Sequence, residues 1–207
     1  ITDRFADIST NVSQEAVESF ITKKAAPPGR MISIPNGIDT IRFDFKQEKR
    51  KILRTQFNIK ENIKVIIAVG RLHPQKDYPN LLNAISALLP KKIKFKVLIV
   101  GDGPLKPELV RQCSELGLNE VVTFVGIVKD IPGIMSASDI FVLSSLYEGF
   151  GLVVAEAMAC ERAVVATDCG GVSEVVGDKG LLVQPNNSDE LANGLLALLK
   201  LESDELI

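Results

Sequence analysis

Six short apolar runs punctuate the chain: KVIIAVG at 64–70, FKVLIVG at 95–101, VVTFVG at 121–126, DIFVLSS at 139–145, RAVVAT at 162–167 and GLLVQ at 180–184. Most stop at Gly, Ser or Thr. A half-solvated strand alternates apolar and polar residues, so continuous runs of Val, Ile and Leu predict strands covered on both faces. Between them lie stretches of helical period: YPNLLNAISALL (78–89), PLKPELVRQCSELG (104–117), GLVVAEAMAC (151–160) and SDELANGLLALLKL (188–201). This strand–helix alternation predicts an α/β domain, a Rossmann-like doubly wound parallel sheet of about six strands with right-handed crossovers.

The first 45 residues break the rhythm. SQEAVESFITKK (13–24) reads as an amphipathic helix capped by Ser13, and AAPPGR as a breaker. MISIPNGIDTIRF holds a short strand and an Asn36-Gly37 turn, and KQEKRKILRTQFNI (46–59) a helix with a basic outer face. A boundary is expected near residues 25–38.

Composition narrows the function classes. At 207 residues, with 46% hydrophobic and 24% charged residues, the chain can bury a substantial core. No apolar run approaches the roughly 20 residues that span a bilayer. It opens on Ile1 rather than Met and reads as an excised piece, so any natural N-terminal address would lie outside it. A net charge of −2 gives no footprint for nucleic acid. Cys113, Cys160 and Cys169 are widely spaced with no C-x-x-C, so buried reduced thiols and a cytoplasmic setting are expected. His73 is the single histidine and no D-x-D occurs, so neither metal nor cofactor is expected.

In open α/β sheets ligands bind beyond the carboxyl ends of the strands, where helix N-termini point. Those ends read GRLHPQK (70–76), GDGP (101–104), GIVKD (126–130), SSLYEGFG (144–151) and DCGG (168–171). Glycines beside a few cations and acids suit a phosphate-bearing ligand. Arg71 offers a bidentate fork and Lys76 a point charge, with Asp77 placed to cap the next helix. Gly101-Asp102-Gly103 lacks the third glycine of a dinucleotide fingerprint and reads as a tight strand-to-helix turn. His73 with Ser144 or Ser145 lacks a G-x-S-x-G elbow, which argues against a hydrolase. The basic face at 46–60 and the KKIKFK run at 91–96 read as solvated lysines, with contact to anionic lipid as the alternative.

EGFGLVVAE (148–156) is the densest candidate. Gly149 and Gly151 allow close approach, and a helix opening near Phe150 or Gly151 aims free N–H groups into the cleft. Glu148 precedes that helix. Glu156, two turns in, shares a face with Leu152, Val153, Ala159 and Cys160 and is expected to point inward. A buried carboxylate needs partners, and either a ligand diol or an internal Lys or Arg would serve.

These blocks together resemble a known family. E-GFGLVVA-E resembles the E-x7-E motif of retaining glycosyltransferases of the GT-B fold, the "group 1" family, family 4 of the sequence classification. IPNGIDTIRF, VGRLHPQKDYPNLL, LIVGDGP, VTFVG, ASDIFVLSSLYEGFGLVVAEAMAC and TDCGGVSEVV match its blocks in order, over residues 30–200.

The resemblance implies a division into residues 1–30, the remnant of an N-terminal acceptor domain and linker, and residues 31–207, a nucleotide-sugar-binding domain. It implies that Arg71 and Lys76, next to Gly70, clamp the donor diphosphate. Val125 and Val128 would meet the nucleobase, with Asp130 helping to select it. Glu148 would bind the transferred hexose, the amides of Gly149, Phe150, Gly151 and Leu152 its hydroxyls and phosphate, and Glu156 the ribose. Arg71, Lys76 and Glu148 would be the catalytic set, without metal. The acceptor, a glycan or lipid-linked hydroxyl, would bind mainly through the other domain, with peripheral membrane contact in the full-length protein. The piece alone is expected to be inactive. A GT-B sugar-nucleotide epimerase and a non-catalytic sugar-nucleotide-binding module are the alternatives.

Overall fold

Alternate residues of each core strand enter two different cores. Ile66, Ala68, Val97, Ile99, Ile140, Val142 and Val165 face one side, and Val65, Ile67, Leu98, Val100, Phe141, Leu143 and Val164 the other. The computed structural model, which describes residues 6–202, builds these strands into one six-stranded sheet. They are β3 (Lys64–Val69), β4 (Phe95–Val100), β5 (Val122–Gly126), β6 (Ile140–Leu143), β7 (Ala163–Thr167) and β8 (Leu181–Val183), after two short strands β1 (Ser9–Asn11) and β2 (Met31–Ser33).

The first core packs the sheet against α3 (Tyr78–Leu88), α4 (Lys106–Glu115) and α8 (Ser188–Lys200). The second packs it against α5 (Ile131–Ser136), α6 (Leu152–Ala159) and α7 (Val172–Val176). Each fully buried Ile, Leu or Val contributes about 1.5–3 kcal/mol, more than a typical helix cap at ~1 kcal/mol. Two-sided burial therefore sets the architecture, and local helix signals refine it. None of the described helices is long and apolar enough to cross a membrane.

The strand order is β5-β4-β3-β6-β7-β8, with every pairing parallel. The chain builds outward from β3 in one direction and from β6 in the other. The crevice above that central pair is where such sheets bind ligands.

At the opposite, amino end, Asp139 ties the two halves together. Its carboxylate accepts from Arg50 Nη2 (2.6 Å), from Arg54 Nη1 (3.4 Å) and from the Val65 amide (2.7 Å). Both arginines come from α2 (Gln47–Gln56), the helix with the basic face. The face expected to be solvated is thus partly turned inward: Arg54 is 1% exposed and also donates to the Ala137 and Lys60 carbonyls, while Lys49 pairs with Asp130 at 2.8 Å. Arg162 joins the group through the Cys160 and Ser138 carbonyls. Burial, helped by the Arg50 charge, pulls its pKa down to about 10.

The leading segment pairs β1 with β2 in parallel and covers them with α1 (Gln14–Thr22), using Val17, Ala26 and Met31 as a small core of its own. Its contact with the larger sheet is specific. Glu174 in α7 accepts from the Gln14 and Glu15 amides at 3.0 and 2.9 Å, supplying acceptors at the start of α1 from 159 or more residues away. The outermost parts of the two expected segments, residues 1–5 and 203–207, lie outside the described residues.

All six expected core strands form, each shorter than its apolar run. Three elements lack a sequence signal. IPGIMS in α5 contains Pro and Gly, VSEVV in α7 is five residues rich in β-branched side chains, and STN in β1 has no apolar residue. Tertiary contact overrides local propensity at all three.

Asp139→Ala would leave Arg54 buried among backbone carbonyls, with only the exposed Glu61 carboxylate, 3.8 Å from Nε, as counter-charge. Loss of one partner of a buried pair costs about 3–5 kcal/mol. Urea unfolding is expected to show that loss, and a change below about 1 kcal/mol would refute the hub role.

Candidate functional site

The β3–β6 ladder is brief. Ile66 pairs with Ile140 and Ile67 with Phe141, short of Val69 and Leu143 where the strands end. Above those pairs the two exit loops are joined mainly through side chains, around a small cavity lined by Val69, Lys76, Tyr78, Leu143, Ser144 and Ser145. Lys76 Nζ meets Glu148 Oε1 at 2.6 Å, and Ser145 Oγ donates to the same oxygen at 2.7 Å. Ser144 Oγ donates to the Lys76 carbonyl at 2.7 Å. The Leu146 amide donates to the Gln75 carbonyl at 2.8 Å, and Gln75 Nε2 to the Tyr147 carbonyl at 2.9 Å. Tyr78, whose phenol pKa is raised by burial and then by the Glu148 charge, donates to the Gly70 carbonyl at 3.2 Å.

Glycine lets these loops touch. Gly101 and Gly170, both at positive φ, lie so close to the Gly70 and Glu148 carbonyls that a Cβ would overlap them. Gly101-Asp102-Gly103 is indeed a packing turn: Gly103 abuts Leu72, and Asp102 holds the Gly103 amide at 2.7 Å and Lys106 at 3.1 Å. Gly171 in the β7–α7 loop contacts the Ser13 side chain, and Val12 lies over Gly149, so the leading segment borders the same rim.

Gly149 is exposed, Phe150 half-buried, and Gly151 caps α6 at φ 83°. The first N–H groups of α6, from Leu152 on, have no intrahelical acceptor and carry the helix's partial positive charge. Glu156 departs from expectation. The innermost residues of α6 are Val154 and Ala157, so Glu156 sits at the margin of that face, half-buried. Burial pushes its carboxyl above the usual glutamate range, with the Arg42 charge partly offsetting it. Among the described residues no hydrogen bond or ion pair engages it, so the internal partner considered from the sequence is a nearby charge rather than a salt bridge.

Arg71 is fully on the surface of the rim, beside Gly70. Val125 is in β5, and Val128 and Asp130 follow it; both valines are half-buried against the second core. The Asp130 carboxylate is already committed: it caps α5 through the Gly133 amide at 3.0 Å and pairs with Lys49. The structure thus joins Gly70, Lys76 and Glu148 directly, and places Arg71, Val128 and Glu156 on surrounding elements. His73 is exposed, and both serines donate elsewhere, so no Ser–His pair forms. Asp77 occupies the α3 cap position at φ 46°, yet its carboxylate leans toward Asn80 without a well-directed cap bond. No three His, Cys, Asp or Glu side chains among the described residues could share a metal ion. A separate hollow lies at the other end of the sheet, lined by Glu161, Arg162, Gly180 and Leu181, away from this rim.

Sequence reasoning weighed Ser144 and Ser145 only as nucleophiles and passed over Tyr78 and Thr167. For the two serines and Thr167, position at a strand's carboxyl end was the available signal.

A raised carboxyl pKa means that folding favours the protonated acid. Below the ordinary value of 4.5 Glu156 carries no penalty, and the penalty develops as pH rises through the folded-state value. Glu156→Gln is therefore expected to raise the melting temperature at pH 7 and to match the parent near pH 4. A gain that does not change with pH would overturn this assignment.

Residues 49–206 match the family described as Glycosyl transferases group 1. The 4-alpha-N-acetylgalactosaminyltransferase of Campylobacter jejuni that acts on N-acetylgalactosamine-N,N'-diacetylbacillosaminyl-diphospho-undecaprenol is 32% identical over 204 residues, covering 97% of this chain and 52% of that protein. The Anabaena HepE structure in complex with UDP and glucose superposes with a TM-score of 0.88 at 30% identity, over 99% of this chain and 56% of that one. The C-terminal domain of a Francisella tularensis group 1 protein superposes at 0.70 and 29% identity, over 81% of this chain and 90% of that domain. The chain thus spans about half the length of the curated relatives it matches, 48% and 52% for two of them. Its sheet is that of the C-terminal, Rossmann-like half of a GT-B glycosyltransferase, and the chain belongs to the glycosyl transferases group 1 family.

Proposed function

We propose that this chain is the donor-binding half of a retaining glycosyltransferase that moves a hexose-type sugar from a nucleoside-diphosphate sugar to a hydroxyl of a glycan or lipid-linked acceptor. One observation carries the reading. Lys76 and Glu148 pair above the β3–β6 crevice, while Arg71 and Glu156, on the elements around them, make no hydrogen bond or ion pair through their charged groups among the described residues. Cations beside a helix N-terminus suit a diphosphate, and a desolvated carboxylate suits a diol.

In this reading Arg71, Lys76 and the first amides of α6 stabilise the charge that gathers on the leaving diphosphate. Glu148 accepts from hydroxyls of the transferred sugar, Glu156 from the ribose, and Val125 and Val128 border the base. The diphosphate assists deprotonation of the acceptor, without a resident metal. The acceptor is bound mainly by the rest of the protein, so the half alone binds donor without turnover. Support comes from the Anabaena complex with UDP and glucose and from the Campylobacter enzyme's undecaprenol-linked substrate. The latter favours a cytoplasmic protein working at the membrane periphery.

Calorimetry of the intact protein against UDP-, GDP- and ADP-sugars identifies the donor. Arg71→Ala and Lys76→Ala are each expected to weaken that donor at least about tenfold, the equivalent of ~1.4 kcal/mol. Unchanged affinity in both would sink the site. NMR of the product should show the donor's anomeric configuration retained. An inverted product would overturn the retaining assignment, and release of an epimerised sugar nucleotide would instead support the epimerase reading.

A further inference from the structure

The serines at the exit of β6 hold the two charged residues of the crevice, each in a different way. Ser145 is fully buried, and its hydroxyl shares Glu148 Oε1 with Lys76 Nζ, at 2.7 and 2.6 Å. Two donors from two different loops converge on one oxygen, so rotation of the carboxylate about its terminal bond is fixed. Oε2 remains open, with no hydrogen bond from the described chain. Ser145 is anchored in turn from the next strand, because Thr167 Oγ1, also fully buried, donates to its carbonyl at 2.7 Å. The neighbouring Ser144 fixes the backbone of Lys76 through its carbonyl.

A buried hydroxyl requires some acceptor, and a carbonyl would satisfy it as well as a carboxylate. Ser144 and Thr167 both use carbonyls. Ser145 instead spends its proton on a charged oxygen that also carries the site's lysine, a stronger and more directional bond. From this difference we infer that Ser145 is a positioning residue for transfer: with Lys76 it occupies Oε1 of Glu148 and so presents Oε2 to the sugar. The inference rests on the reading of Glu148 as the carboxylate that meets the transferred sugar. The relay Thr167–Ser145–Glu148 extends it to β7, making the angle of that carboxylate depend on a hydroxyl two bonds removed from it.

The test uses the intact protein, the donor selected by calorimetry and the matching free nucleoside diphosphate. Ser145→Ala is expected to lower kcat about 10- to 150-fold, the range set by one hydrogen bond to a charged group. Affinity for the free nucleoside diphosphate should stay within twofold, because Arg71 and Lys76 remain. A kcat within twofold of the parent, or an equal loss of nucleoside diphosphate binding, would overturn the inference. Thr167→Val, which keeps the side-chain shape, covers the case in which Ser145→Ala does not fold. It should lower kcat severalfold at unchanged nucleoside diphosphate affinity, and an unchanged kcat would count against the relay. Lys76→Ala and Glu148→Gln separate the two levels. If neither affects donor binding or turnover, the site reading itself fails; if they do and Ser145→Ala does not, only the positioning role fails.

Discussion

The fold turns on one short piece of parallel pairing, Ile66 with Ile140 and Ile67 with Phe141. It joins two half-sheets that grow in opposite directions, and it leaves the ends of both central strands to be fastened by other means. β6 is bracketed by polar side chains that reach β3 and its exit loop. Before it, Asp139 holds the Val65 amide. After it, Ser144 and Glu148 hold the Lys76 carbonyl and ammonium. Two apolar residue pairs in the middle and a carboxylate near each end make the seam of the molecule.

The two carboxylates solve different problems. At the amino end Arg54 is sealed in, with 1% of its side chain accessible, and Asp139 balances a charge that cannot reach water. Separation there breaks the fold, since an uncompensated buried charge is among the costliest defects a protein can carry. At the carboxyl end Lys76 and Glu148 keep 19% and 12% of their side chains accessible, and spare hydrogen-bonding capacity on both partners faces outward. The same kind of ion pair therefore stabilises at one end and stays available for a ligand at the other. What separates them is the number of their polar atoms already in use.

Much of this was legible in the sequence because the strands announce themselves twice, by continuous apolar runs and by the small residues that end them. Those endings also marked the rim, and Lys76 and Glu148 were found there before any coordinates. Glu156 was placed one notch too deep. In a helix apolar on nearly every side, spacing does not choose the inward face, and α6 buries Val154 and Ala157 instead. The pairing of Asp130 with Lys49, 81 positions away, carries no local signal. The partner of Ser145 was out of reach for a related reason: it is a matter of loop geometry, which no local pattern encodes. The contact of Glu174 with α1 spans most of the chain and was equally invisible.

The glycine contacts carry a consequence for how such a rim can diversify. With the Gly170 α-carbon seated on the Glu148 carbonyl and Gly101 on that of Gly70, the backbone courses of four loops are interlocked in two pairs. Lengthening or rerouting one of them would dislodge its partner. Novel preferences for a ligand must then arise by exchanging side chains that project from a fixed frame, such as Ile127 and Tyr147, which are 82% and 60% exposed at its edge. The rim behaves as a socket of constant outline whose lining is replaceable.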